Sequence, residues 1–251
     1  FYGASGRAAC IPSWHGGVRA FFDAGMALAR YGGWSLGFFA SDGFVGESEP
    51  GHTHNDKLSF TLGFKGVPFF VDSGSGVYTR DPKVRNNLRG TAQHSTLRFG
   101  NLEQNDFRGL FGYTRCGGAS LDVTEADGSA VFRGATDCWV TRFGVIHKRV
   151  VEIGSEGAVV RDDVEGAEPV VAATRSFVLG PEVDVSVIGR KEAVLTSRGV
   201  SVAFYAESDI VVREGLYSPR YGTVVKSAIL DVPFEYGRTN VITIKEILNE
   251  D

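Results

Sequence analysis

From His94 to the end of the chain, short runs rich in Val, Ile, Phe and Thr follow one another, each broken by Gly, Asp-Gly or Gly-Pro. That punctuation leaves no room for a long amphipathic helix, and many short strands at turn spacing specify a two-sheet sandwich. The runs predicted as strands are 95–99, 130–133, 142–152, 158–164, 171–178, 183–187, 200–206, 224–231 and 239–245. Ahead of His94, residues 18–23 and 34–39 read as strands. Between them 26–30 reads as a short, irregular helical turn among Gly25, Gly32 and Gly33, and 41–51 reads as a loop. Asp81-Pro82, an N-cap followed by proline at the first helical position, opens a short helix that stops near Gly90. The expected architecture is therefore all-β: an antiparallel two-sheet, jelly-roll-like sandwich with one short helix near 82–89, continuous as one domain over residues 1–251.

The 251 residues contain five histidines. Three of them, His52, His54 and His94, fall in one window with Asp56 and Asp72. Residues 57–64 alternate, with Leu58, Phe60, Leu62 and Phe64 on one side, as in a half-buried antiparallel strand. Lys65-Gly66 turns the chain, and 67–72 returns as the partner. A two-residue turn pairs Ser59 with Asp72, which puts Asp72 on the face opposite to His54. For the two to share a site, either a bulge intervenes or the regular strand starts after His54.

By residue type His54, Asp72 and His94 offer an N, O, N set for a divalent ion, most naturally zinc; polar residues hydrogen-bonded within a sheet are the alternative. His52 stands beside this set and is the candidate for proton transfer, with Tyr78, which follows the Ser73-Gly74-Ser75-Gly76 loop, as a second candidate. Arg80, Lys83, Arg85 and Arg89 make the densest basic patch, either an anion-binding surface or a solvated helix face. His15 and His147 read as structural or surface residues.

Some functions are disfavoured. A net charge of −4 argues against a nucleic-acid partner, and no apolar run approaches the length of a membrane span. The chain lacks a G-x-S-x-G elbow, a P-loop and a dinucleotide fingerprint. The three cysteines, Cys10, Cys116 and Cys138, have no zinc-finger spacing and read as free or buried thiols, with a Cys116–Cys138 bridge as the alternative. A start at Phe1 and a single methionine read as a processed or excised piece of a longer protein.

The run Gly51-His52-Thr53-His54-Asn55-Asp56-Lys57-Leu58-Ser59-Phe60, with Val71-Asp72-Ser73-Gly74, Arg85-Asn86 and Thr91-Ala92-Gln93-His94-Ser95-Thr96, resembles the C-terminal domain of the heparinase II/III-like polysaccharide lyases, a family that includes oligoalginate lyases. Weaker likeness extends through His147-Lys148-Arg149, 162–166 and 218–222. The resemblance implies a β-sandwich preceded by a helical toroid, with the active site in the cleft between them, and a bacterial protein that is periplasmic or secreted. It implies that His54, Asp72 and His94 hold one structural zinc per chain, that His52 faces an acidic, uronate-containing polysaccharide, and that the reaction is β-elimination. Tyr78 is a loose match to a tyrosine of the family's sandwich domain. Arg80, Arg85 and Arg89 are the expected substrate-binding cations. Asn87 and Leu88 stand where the family commonly has aromatic residues. Since the toroid supplies part of the site, the isolated piece is expected to be inactive. A non-catalytic carbohydrate-binding or scaffold module is the alternative function.

Overall fold

The computed structural model describes residues 14–41, 51–114 and 117–247. In chain order the strands are β1 (Gly17–Phe21), β2 (Met26–Tyr31), β3 (Trp34–Phe39), β4 (Ser59–Phe64) and β5 (Val67–Phe70). Beyond helix α1 (Pro82–Leu88) come β6 (Leu97–Phe99), β7 (Phe107–Arg108), β8 (Gly112–Tyr113), β9 (Ala119–Ala126) and β10 (Ser129–Thr136). A helical turn, α2 (Val140–Phe143), leads to β11 (Ile146–Gly154), β12 (Gly157–Glu165), β13 (Ala173–Val178), β14 (Asp184–Val187) and β15 (Glu192–Ser197). The last four are β16 (Val200–Ala206), β17 (Val211–Arg220), β18 (Thr223–Pro233) and β19 (Asn240–Glu246). They form a five-stranded meander β1-β2-β3-β4-β5, an eight-stranded sheet β14-β15-β16-β19-β12-β11-β10-β9, a four-stranded sheet β17-β18-β13-β6 and the small hairpin β7-β8. Every pairing is antiparallel.

The meander packs face to face on the large sheet, with β2 and β3 against β10 and β11. Period-2 alternation sends Leu36, Phe38, Phe60 and Leu62 inward to meet Phe132, Val151, Val160 and Ile242, all buried in one core. Phe60, Phe70, Phe177 and Phe204 touch in a closed set of rings, with centroids 5.2–6.1 Å apart, that joins the meander to both other sheets. The all-β sandwich expected from the sequence is therefore the observed fold.

Several local expectations are corrected. Residues 26–30 form a strand: Ala27 and Ala29 are buried between β1 and β3, and this pairing overrides their helix propensity. β1 ends at Phe21, where a single 3-10 turn takes over. The predicted strand from 142 begins as α2 and becomes extended only at Ile146. The strands β9, β15 and β17 fall outside every predicted run. Of the expected 41–51 loop, residues 42–50 lie outside the described residues, as do Cys10 and Cys116; Cys138 is a buried free thiol.

Of the two readings of His147, structural or surface, the structural one holds. On the inner face of β11 and β12 the paired core residues Ile153↔Ala158 and Val151↔Val160 give way to Arg149↔Asp162. Arg149 donates to Asp162 through Nε (2.7 Å to Oδ1) and Nη2 (3.0 Å to Oδ2), and His147 Nε2 donates to Oδ1 at 2.7 Å. All three side chains are fully buried. Arg149 Nη1 donates in addition to Leu58 O at 2.8 Å and to Ser95 O. A charged layer in the core thus holds the two backbone segments that carry His54 and His94.

Candidate active site

The parity problem of His54 and Asp72 is solved in both of the ways the sequence allows. Phe64 pairs with Val67 and Gly63 with Pro68, but Leu62 pairs with Phe70, so Phe69 is an extra residue in a bulge. Regular β4 begins only at Ser59, after Leu58 has taken a left-handed φ of 61°. The segment 53–57 is then shaped by side chains. Asn55 donates to Glu103 Oε2 (2.8 Å) and to Asn105 O (3.0 Å), Gln104 Oε1 accepts from Lys57 N at 2.9 Å, and Tyr113 donates to Thr53 O at 2.6 Å.

His54, Asp72 and His94 converge, each offering a ligand atom within 4.8 Å of the others. The two imidazole centroids are 5.2 Å apart. Asp72 divides its oxygens: Oδ1 accepts from Gly74 N at 2.8 Å, closing its own turn, and Oδ2 stands 3.0 Å from His94 Nδ1. Yet neither nitrogen of the buried His94 ring has a partner in hydrogen-bonding geometry. Two buried imidazoles and a carboxylate oriented this way fit a divalent cation bound between them. Burial, and then the neighbouring His94, push the His54 pKa down to about 4, so that imidazole is neutral and available as a ligand. Burial alone would raise the Asp72 carboxyl, but the facing His94 and His54 hold it below the usual carboxylate range.

His52 is exposed at the mouth of this group. Its ring meets the edge of Tyr78 at 5.1 Å and 90°. An open cleft of about 400 Å³ is lined by His52, Thr53, His54, Asp56, Asp72 and Ser75, among others. A larger depression of about 580 Å³ over β10, β11 and β12 contains no histidine or cysteine. His52, His54 and Asp72 therefore line one opening, with Tyr78 beside it in edge contact with His52.

A family model described as Heparinase II/III-like, C-terminal, matches residues 15–245. The chain belongs to this family. Solved structures similar to this heparinase II/III-like domain include a heparinase III, the BT4657 gene product, with a TM-score of 0.72, 16% identity and 92% of this chain covered. Another is the heparan sulfate lyase HepC from Pedobacter heparinus, with a TM-score of 0.70, 20% identity and 93% coverage. The chain spans 36% of the first and 37% of the second. At these identities the likeness speaks for the fold. No curated protein matches the chain.

The heparinase II/III-like domain treats its basic helix differently from a solvated face. Asp81 caps α1 by accepting from Lys83 N (3.0 Å) and Val84 N (3.1 Å). Arg85 and Arg89 are then fully buried, while Arg80 and Lys83 are exposed. Arg85 donates to Gly51 O at 2.9 Å and lies 5.0 Å from the Tyr78 ring; Arg89 donates to Gly109 O at 2.7 Å and lies 4.2 Å from the Phe107 ring. Rings contributed by 107–113 cover both cations, so the two arginines support the site from beneath. Sequence reasoning missed Ser75, whose hydroxyl is 3.3 Å from His54 Nε2, and Tyr221, which stacks on Tyr78 at 5.6 Å. The Ser75 position follows from the Gly74 and Gly76 turns; Tyr221 lies within the weaker likeness at 218–222, which does not signal its contact with Tyr78.

Proposed function

We propose that this chain is the sandwich part of a polysaccharide lyase that cleaves uronate-containing polymer by β-elimination, outside the cytoplasm and together with a helical domain elsewhere in the protein. The observation that carries the reading is the pairing of exposed His52 with Tyr78 beside the His54–Asp72–His94 set in a member of the heparinase II/III-like family. In β-elimination the C–H bond α to the carboxylate breaks and its proton passes to a base. The electron pair becomes a C=C bond as the bond to the glycosidic oxygen breaks, and that oxygen takes up a proton. His52 and Tyr78 fill the roles of base and acid. Exposed Arg80 meets the anionic polymer, and Arg85 holds Tyr78 in place. Zinc, when bound by His54, Asp72 and His94, supplies a fixed positive charge that pins the loops at 53–57 and 72–76.

The full-length protein, incubated with a panel of uronate polymers, is expected to yield an unsaturated product absorbing in the near ultraviolet; hydrolysis leaves no such chromophore. No elimination across the panel would favour a non-catalytic carbohydrate-binding module. For the metal, elemental analysis of protein prepared without added ions is expected to find about one zinc per chain. His54→Ala and His94→Ala should both lose the metal and lower the Tm, because an ion present at 100 times its Kd adds ~2.7 kcal/mol to folding. His52→Ala should leave both unchanged, and equal losses in all three would mean that ligand and catalyst are wrongly divided.

A further inference from the structure

The tip of the β17–β18 hairpin is bound to the candidate active site although it lies far from it in sequence. Ser218 N donates to Ser73 O and Gly222 N to Gly76 O, both at 2.8 Å. The contact is tight enough to exclude side chains: a Cβ on Gly74 would sit 2.4 Å from Ser218 O, and both Gly74 and Gly76 have left-handed φ. This clamp fixes Tyr221, which stacks on Tyr78 with ring centroids 5.6 Å apart and planes 25° apart. Phe111 approaches the same Tyr78 ring at 6.4 Å. Yet Tyr221 is 65% exposed and Phe111 37% exposed. The turn asks for glycine at its second central position, where Gly222 has φ 77°, and has no need of an aromatic at the first.

A ring held rigidly by backbone bonds, stacked on one face and open on the other, is a surface prepared for a flat apolar face of a ligand. Its immediate neighbours set the rest of that ligand's chemistry. Arg220 is exposed beside Tyr221, and Arg80 is exposed two residues from Tyr78. A pyranose ring presents an apolar face of C–H bonds, and in an acidic polysaccharide it carries an anion at its rim. We infer that Tyr221, backed by Tyr78, is a sugar-stacking subsite beside the cleft, with Arg220 and Arg80 facing the anionic groups of the same chain of sugars. The inference rests on the polysaccharide reading above and adds to it a residue that sets affinity rather than turnover.

The test uses the full-length protein, with heparan sulfate and alginate oligosaccharides as probes and neutral dextran as the uncharged control. Binding is measured by calorimetry and turnover by the ultraviolet chromophore. Tyr221→Ala is expected to weaken binding and raise KM about tenfold, the scale of a lost aromatic stack with its buried area, while changing kcat by less than about twofold. Tyr221→Phe and Tyr221→Trp should bind within about threefold of wild type. Tyr205→Ala, which removes a tyrosine 41% exposed on β16, should bind as wild type does. Because binding is read without turnover, a protein that eliminates nothing but loses oligosaccharide affinity with Tyr221→Ala still supports the subsite while sinking the lyase reading. Elimination with an unchanged KM overturns the subsite alone. A fall in kcat at constant KM would reduce Tyr221 to a support for Tyr78, and a lower Tm with unchanged affinity would assign it to packing against another domain; either result overturns the proposal, as does wild-type protein that binds neither acidic probe.

Discussion

Asp162→Ala is expected to destabilise the protein by roughly 3–5 kcal/mol, the usual cost of removing one partner from a buried ion pair. Arg149 would keep its bonds to Leu58 O and Ser95 O but lose both bonds to the carboxylate. His147 would lose its acceptor. Arg175 on β13 is also fully buried, none of its Nε, Nη1 or Nη2 atoms has a hydrogen-bond partner, and burial depresses its pKa against the pull of Asp162. Without that carboxylate the Arg149 guanidinium loses its paired charge in the core, and Arg175 keeps only the weaker pull of Glu207. Since domains of this size are stable by only about 5–15 kcal/mol, the loss is large. Urea unfolding would measure it, and a change below about 1 kcal/mol would show that the charged layer is structurally idle. Arg149→Met combined with Asp162→Leu should recover the Arg149 part of the loss, because it removes that pair of charges together, while Arg175 stays buried without the carboxylate.

The same layer gives the domain a pH dependence of definite sign. Burial would raise the Asp162 carboxyl, but Arg149 and His147 hold it below its ordinary range; burial pulls the His147 pKa down. Both groups bind fewer protons folded than unfolded. Each therefore contributes stability that is complete above its unfolded pKa, ~6.5 for His and ~3.9 for Asp, and that is lost as pH falls. Within this layer it is the His147 contribution that changes between about pH 7 and pH 5. At the candidate site His54, whose pKa is also lowered, acts in the same direction, and His94, which burial would lower but Asp72 raises, in the opposite one. The wild type should therefore lose more Tm across that interval than His147→Asn does; parallel curves would exclude His147 as a source.

For the chemistry, the full-length His52→Ala protein is expected to lose roughly 10²-fold or more in kcat, the lower end of what a positioned acid or base contributes. Tyr78→Phe should do the same, and it is the cleaner experiment. The ring remains between Arg85, Tyr221 and His52, so the substitution deletes a hydroxyl and leaves the packing in place. A Tyr78→Phe enzyme with kcat within a few-fold of wild type would remove the phenol from the mechanism and leave His52 to act with a group from elsewhere in the protein. Neither change touches His54, Asp72 or His94, so an unchanged Tm serves as the control for intact structure.

What the sequence revealed was mostly local. β4 was legible because its apolar residues Phe60, Leu62 and Phe64 alternate, and α1 because Asp81-Pro82 is a cap with a helix-starting proline. β2 was misread because its alanines favour helix when isolated, whereas here neighbours on both sides make it a strand. β9 buries only its first residue, and β17 contains a glycine and a proline, so neither has the apolar alternation of a half-buried strand. The burial of Arg85 and Arg89 had no local signal: spacing by four describes a helix face, and the aromatic cover comes from 107–113 and from Tyr78. The His-x-His pair drew attention to His52 and His54, but bringing His94 to them takes the turn at 91–93 and the packing of β6 on β13.

The clamp between 73–76 and 218–222 also sets a timetable for biosynthesis. His54 and Asp72 leave the ribosome on one hairpin, and His94 follows shortly after. At ordinary rates of ~5–20 residues per second, the hairpin that carries Ser218 and Gly222 emerges on the order of ten seconds later. For that interval the glycine loop has no backbone partners and Tyr78 no ring above it. The two histidines and the carboxylate therefore leave the ribosome before their outer wall exists, and the cleft acquires its final shape only when nearly the whole domain has been made.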